Sequence, residues 1–176
     1  MKKTDSAIFT RRSIRAYDPK KKPTRAQLRD LLDAAMHAPS AMNKQPWEFL
    51  AATSPESIAA IMRAHPYCES LADAGAAIVV CGDLRKQFST PDGGYYAYDC
   101  SAATQNILLR AKELGLGTCW CGIAPEKERM EAFRKAFKMP KNIEPMALVI
   151  VGTPAENPKL DAPRYAEEKV HWETWK

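Results

Sequence analysis

The sequence predicts one α/β or α+β domain built on a central mixed sheet. Three observations carry that expectation. Helix-period and strand-like segments alternate along all 176 residues. Two uninterrupted apolar runs, "AAIVVCGD" at 76–83 and "EPMALVIVGTP" at 144–154, have the length of strands buried on both faces. The connections between segments vary in length, which does not fit a regular doubly wound fold.

In chain order, Thr4 with "DSAIF" predicts a short helix ending at the arginines of "RRSIR" (11–15). Thr24 and Gln27 have capping-box spacing, and Leu28, Leu31, Leu32 and Ala35 follow at i, i+3, i+4 and i+7, so a helix starts there and stops before Pro39. The loop "PSAMNKQP" leads into "WEFLAAT", a strand. Ser54-Pro55-Glu56 supplies the cap, the N1 proline and the early acid of a helix running to about Ala64. After the 76–83 strand, Tyr95 to Leu114 reads as a long helix with small residues through its first half, which lets neighbours approach closely. "GTCWCG" is a short strand, Pro125 opens a helix to about Phe137, and "EPMALVIVGTP" is a second core strand. The last segment is punctuated by prolines, and its late aromatics, Trp172 and Trp175 among them, have no place in a core of their own. A partner subunit is their simplest packing surface.

Composition narrows the function. At 45% apolar residues, the chain buries one sizeable core and not two. No apolar run reaches the roughly 18 residues of a membrane span, and the first residues lack the apolar stretch of a secretory signal, so a soluble, cytoplasmic protein is expected. Five cysteines at irregular spacing make no disulfide framework and are expected to be reduced and mostly buried. The net charge of +5 is local. Residues 1–25 carry nine Lys and Arg against Asp5 and Asp18, which leaves the rest slightly acidic. Such a cluster suits a small anion or a solvated segment better than a nucleic acid, which needs a stripe of charge.

Most familiar chemistries find no support. Cys119 and Cys121 share one side of a strand, but His37, His65 and His171 are scattered and no further metal ligands have the required spacing. There is no G-x-S-x-G nucleophile elbow, and the glycines of "GLGTCWCG" precede a strand, where a dinucleotide fingerprint would follow one. Two segments remain. In "RRSIR", guanidinium groups and a hydroxyl have the geometry of a phosphate clamp, and an exposed basic turn is the equal alternative. In "PSAMNKQPWEF", Pro39 and Pro46 stiffen a loop holding Ser40, Asn43 and Gln45 ready for hydrogen bonding; taken alone, that loop is better explained by capping of the preceding helix and satisfaction of its own backbone.

Taken in order, "RRSIRAYDPK", "APSAMNKQPWEFL", "ELGLGTCWCG" and "PRYAEEKVHWETW" resemble the FMN-dependent nitroreductase family, in particular its shorter members. The resemblance spans nearly the whole chain. It implies an α+β fold with a central mixed sheet flanked by helices, in an intertwined homodimer with two FMN sites at the subunit interface. Residues 1–176 then form one FMN-binding domain whose C-terminal extension, from about residue 154, packs on the partner.

By the same resemblance, Arg11, Arg12 and Ser13 bind the FMN phosphate and ribityl region, and Arg15 lies toward the pyrimidine edge of the flavin. Pro39, Ser40, Ala41 and Asn43, with Gln45 in the same loop, reach the flavin from the other subunit. Cys121 and Gly122 lie beside flavin N5, and Arg164 is a second phosphate ligand. Many members carry an Asn and a Lys where this chain has "PYCESLADAG", so that contact to the pyrimidine is not expected here. The implied reaction is a ping-pong hydride transfer from NADH or NADPH, through FMN, to nitroaromatics, quinones or other small electron-poor acceptors, without a catalytic side chain. A non-catalytic flavin-binding module, or another flavin reaction such as reductive dehalogenation, is the alternative.

Overall fold

In the computed structural model of the chain, residues 6–156, 158 and 164–175 are described. The expected helix start at Thr4 lies outside them. A four-stranded sheet forms the centre, with strands β1 (Trp47–Ala52), β2 (Ala76–Asp83), β5 (Gly117–Gly122) and β6 (Ile143–Gly152) in the order β1-β2-β6-β5. All three ladders are antiparallel. The mixed character enters at one edge, where Ser13 bridges Thr118 in parallel. An apolar run reports burial and not strand direction, so the antiparallel pairing could not be read from 76–83 or 144–154. Every residue of β2 is buried, as its continuous apolar run requires.

Alternate residues of the central strands feed two separate cores. Ile78 and Val80 face α2 (Arg25–Met36) and α5 (Tyr96–Glu113), while Val79 and Cys81 face the opposite side with α3 (Pro55–Ala64), α4 (Leu71–Ala74) and α6 (Lys127–Phe137). The capping box of α2 is complete: the Thr24 hydroxyl accepts from the Gln27 N–H at 3.2 Å, and the Gln27 side chain accepts from the Thr24 N–H at 2.9 Å. Cys100, Ala103, Ile107 and Ala111 give α5 a small-residue face that α2 and the sheet cover completely. A bidentate Arg110–Asp30 pair, both contacts 2.8 Å, ties α5 to α2.

Two elements differ from the sequence expectation. Helix α6 begins at Lys127 instead of Pro125, because the N–H groups of Ile123 and Ala124 both bond the Met146 carbonyl and keep that segment on the sheet. A small hairpin, β3 (Ser89–Thr90) with β4 (Gly93–Gly94), precedes α5 and was not predicted. Its base closes through the Tyr95 N–H, which donates to the Phe88 carbonyl at 3.0 Å, and the turn leading into it is held by buried Asp83, which accepts from Arg85 and from the Asn142 amide at 2.8 Å. Cys68, Cys81, Cys100 and Cys119 are buried free thiols and Cys121 is half-buried. Among the described residues no helix is long and apolar enough to cross a membrane.

Candidate functional site

The arginine segment follows α1 (Ala7–Thr10) as extended chain laid against β5. Its anchor is apolar. Ile14 is buried, its N–H donates to the Thr118 carbonyl at 2.9 Å, and buried Tyr17 donates its hydroxyl to the Ile14 carbonyl at 2.7 Å. Extended geometry then turns Ser13 and Arg15 outward on either side of Ile14, and both are exposed. Gly117 makes the approach possible, since a Cβ there would lie 2.9 Å from Ile14 Cβ.

Positive charge converges at the start of this segment. Burial, followed by the charges of Arg164 and Arg12, holds the Arg11 guanidinium below its ordinary pKa, which places Arg164 within electrostatic reach of Arg11 although 153 residues separate them. Like charges brought together on a partly desolvated surface are stabilised by an anion. Arg12 has a different task in the chain: its Nη1 donates to the Phe9 and Arg11 carbonyls, at 3.1 and 2.9 Å, and closes the end of α1.

Arg15 points toward the end of β5. It shares a cavity of about 400 Å³ with His65, Tyr67, Cys121, Gly122 and Arg129, and it also borders an adjoining recess of about 500 Å³ with Tyr67, Glu69, Ser70 and Asp73. Strand alternation explains what β5 offers this cavity. The Thr118 carbonyl bonds outward to Ile14, so Trp120 and Gly122 turn their N–H and C=O groups to the same outer edge, away from β6. Accordingly, the Gly122 carbonyl accepts from His65 Nε2 at 3.1 Å and from Arg129 Nη1. Cys119 and Cys121 lie two residues apart on β5 and share one of its faces, and the Cys121 thiol meets the Tyr67 carbonyl at 3.8 Å. Interaction between the two thiols, with the charges of Arg15 and Arg11, makes the first proton of the pair easier to lose, and the remaining proton is held tightly.

The loop at 39–46 lies elsewhere. It contains a 3₁₀ turn, Ala41–Asn43, with left-handed Met42 and Asn43, both at φ 51°, and then left-handed Gln45. Its polar groups bond internally: the Gln45 N–H donates to Ser40 Oγ, and Gln45 Nε2 donates to Asn43 Oδ1, both at 2.9 Å. The Ala41 N–H donates to Asp99 Oδ1 at 2.9 Å, and the buried Asp99 Oδ2 has no hydrogen-bond partner among the described residues. This loop enters β1 at Trp47. Register places Trp47 beside Gly82, Gly82 beside Glu144, and Gly122 beside Ala147, so the loop and Gly122 share one end of the sheet but occupy opposite edges. Three strand spacings amount to about 14 Å.

The predicted site residues therefore fall into two groups within one chain. Arg15, Cys121 and Gly122 meet at one cavity, with Ser13 beside Arg15 on the same segment, Arg12 folded onto α1, and Arg11 and Arg164 gathered near its start. Pro39, Ser40, Ala41, Asn43 and Gln45 sit across the sheet from them. Sequence reading missed His65, Tyr67 and Arg129 in the cavity wall and Asp99 behind the loop. Their partners in these contacts lie mostly tens of residues away, and a histidine directly before Pro66 was the one local signal.

Comparison with known proteins places this geometry. The family model described as the nitroreductase family matches residues 8–67 and 62–153. A protein of Methanothermobacter thermautotrophicus, provisionally named NADH dehydrogenase/NAD(P)H nitroreductase, is 40% identical over 169 residues, covering 96% of this chain and 86% of that relative. A solved structure from Bacteroides thetaiotaomicron with the same provisional name has a TM-score of 0.87 at 37% identity and covers 96% of both chains. A nitroreductase-type protein of Desulfovibrio desulfuricans, solved in complex with FMN, has a TM-score of 0.79 at 27% identity, covering 97% of this chain and 96% of that one. On sequence and fold together, this chain belongs to the nitroreductase family.

Proposed function

We propose that the protein is an FMN-dependent oxidoreductase that takes electrons from NADH or NADPH and passes them to electron-poor acceptors such as nitroaromatics or quinones. The observation that carries this reading is the meeting of Arg15 with the outward-turned end of β5 at one cavity. The crowding of positive charge from Arg11, Arg12 and Arg164 at the start of the same segment supports it. The donor set suits FMN. Guanidinium groups and the Ser13 hydroxyl match a phosphate, backbone edge groups and Arg15 match the polar rim of the ring system, and Tyr67 and Cys121 give apolar surface.

When bound, FMN supplies the hydride-accepting ring. The chain's own residues do the rest. Arg11, Ser13 and Arg164 anchor the phosphate. Arg15 places positive charge where reduction adds negative charge, which favours the reduced state. The Gly122 edge fixes the orientation of the ring, and no side chain is asked to move a proton.

The second group of residues belongs to the same site in a two-fold dimer. The loop carrying Pro39, Ser40, Ala41, Asn43 and Gln45 closes the cavity of a second copy, and the segment from about residue 154 packs on that copy. Large apolar side chains left exposed on one chain support this assembly: Met42 is 74% exposed, Tyr98 73%, Trp172 72% and Trp175 86%.

The test is the visible spectrum of the purified protein with the released flavin identified, followed by quinone-dependent oxidation of NADH and NADPH. A yellow protein that turns over supports the reading. A yellow protein without turnover is a flavin-binding module, and a protein that takes up no FMN overturns the proposal.

A further inference from the structure

His65 ends α3, is only 2% exposed, and belongs to none of the motifs that identify the family. Its ring spans two walls of the Arg15 cavity. Nε2 meets the Gly122 carbonyl at 3.1 Å on the strand side, and Nδ1 meets the Tyr67 N–H at 3.2 Å on the loop side. A carbonyl only accepts and an N–H only donates, so both bonds exist together in one species: the neutral imidazole with its proton on Nε2. Edge-on contacts to Tyr67 and Phe133, with centroids at 6.2 and 6.5 Å, oppose rotation of the ring. Arg129 reinforces the same clamp, donating to Gly122 and standing 5.8 Å over the Tyr67 ring.

We propose that His65 is a positioning residue that clamps the Gly122 peptide to the Tyr67 wall, and that protonation of its Nδ1 opens the clamp and weakens cofactor binding as pH falls. The proposal rests on the reading of this cavity as the FMN site. Protonation puts a donor on Nδ1 against the donor of Tyr67, and that contact becomes repulsive. Of the charged groups that line its cavity, Arg129 and Arg15 oppose a charge on the imidazole, Glu126 is the one carboxylate, and the Gly122 carbonyl favours the charged form. Arg129 approaches from α6, the neutral thiol of Cys68 and the phenol of Tyr67 come from its own segment, and Cys121 comes from β5. Burial comes first and outweighs the Gly122 hydrogen bond, which favours the charged ring; Arg129 adds to burial, so the His65 pKa lies below its ordinary 6.5. The sign follows: the clamp is intact at neutral pH and is lost as pH falls through a value under 6.5.

Two variants separate the clamp from mere filling of space. His65→Gln keeps a donor and an acceptor and does not titrate. His65→Phe fills the volume and makes neither bond. FMN dissociation constants read from flavin fluorescence between pH 8 and 5 should rise for the wild type as pH falls. The FMN phosphate has a pKa of about 6 and titrates in the same window, so the difference between wild type and His65→Gln isolates the imidazole. The glutamine variant should retain binding at pH 7.5 and show a shallower pH dependence, while His65→Phe should bind at least about 10-fold more weakly and stay folded, its thermal midpoint falling by roughly the few degrees that the lost hydrogen bonds cost. Equal pH slopes for wild type and His65→Gln, or wild-type affinity in His65→Phe, overturn the proposal. If the wild type takes up no FMN at any pH, the flavin reading fails instead. The ring tautomer, read by nitrogen NMR on the apoprotein, then decides the clamp alone: a proton on Nε2 supports it and a proton on Nδ1 overturns it.

Discussion

The N–H of Ile14 donates to the carbonyl of Thr118 at 2.9 Å, and this bond seats the arginine segment on the outer edge of β5. The seat depends on Gly117, where an added Cβ would come within 2.9 Å of Ile14 Cβ and Cγ1. Neither neighbour is a free chain end that can swing away, because Ile14 is buried. Gly117→Ala is therefore expected to lower stability by about 1–3 kcal/mol and to weaken FMN binding by displacing Arg15. Urea denaturation and flavin titration check both effects; wild-type values would show that the segment is held elsewhere.

Arg11 and Arg15 are expected to fail differently. Arg11 stands with Arg164 where positive charge is crowded, so Arg11→Ala should reduce FMN affinity by about tenfold or more, the loss of one charge-assisted contact. Arg15 lines the cavity at the strand end, so Arg15→Ala should lower the flavin midpoint potential more than it lowers affinity. Spectroelectrochemistry beside a binding titration separates the two, and the reverse pattern would overturn the division of labour.

Asp99 holds the 39–46 loop, the second half of the proposed site, from behind. Its Oδ1 accepts the Ala41 N–H, and the carboxylate is buried in the first turn of α5. Asp99→Ala removes that acceptor and should destabilise the fold by about 1.5–3 kcal/mol. Asp99→Asn retains an acceptor of the same shape and should lose less. Equal losses in denaturant titration would contradict the role given to Oδ1.

Away from the site, Thr24→Ala removes one arm of the α2 capping box and should cost about 1 kcal/mol. Thermal unfolding checks this, with FMN affinity expected to stay at its wild-type value.

That capping box was legible because its signal is local: Thr24 and Gln27 are three residues apart, and both bonds form as spaced. The ends of β2 were legible for a similar reason, since "AAIVVCGD" is bounded by Gly75 and ends at Asp83, which turns the chain. Partnership across the chain was not. Nothing near Gly122 announces that its carbonyl will be taken by His65 and Arg129, and nothing near Ala41 points to Asp99, 58 residues on. Pro125 carried a true helix-start signal, yet the Met146 carbonyl claimed the preceding N–H groups and moved the start to Lys127. Resemblance to a family put Arg15 and Gly122 among the expected site residues, and the cavity they share was visible only in three dimensions.

The central claim is that one chain holds two halves of different sites, with Arg11 and Arg15 on one edge of the sheet and the Asn43 loop on the other. Subunit complementation tests it directly. Arg11→Glu puts a like charge against the phosphate, and Asn43→Trp obstructs the loop's approach to the partner cavity; each homodimer should bind little FMN. When the two variants are unfolded together and refolded, random pairing in a two-fold dimer should restore binding at about a quarter of the sites. No recovery on mixing, or full FMN binding by the Asn43→Trp homodimer, would contradict the account.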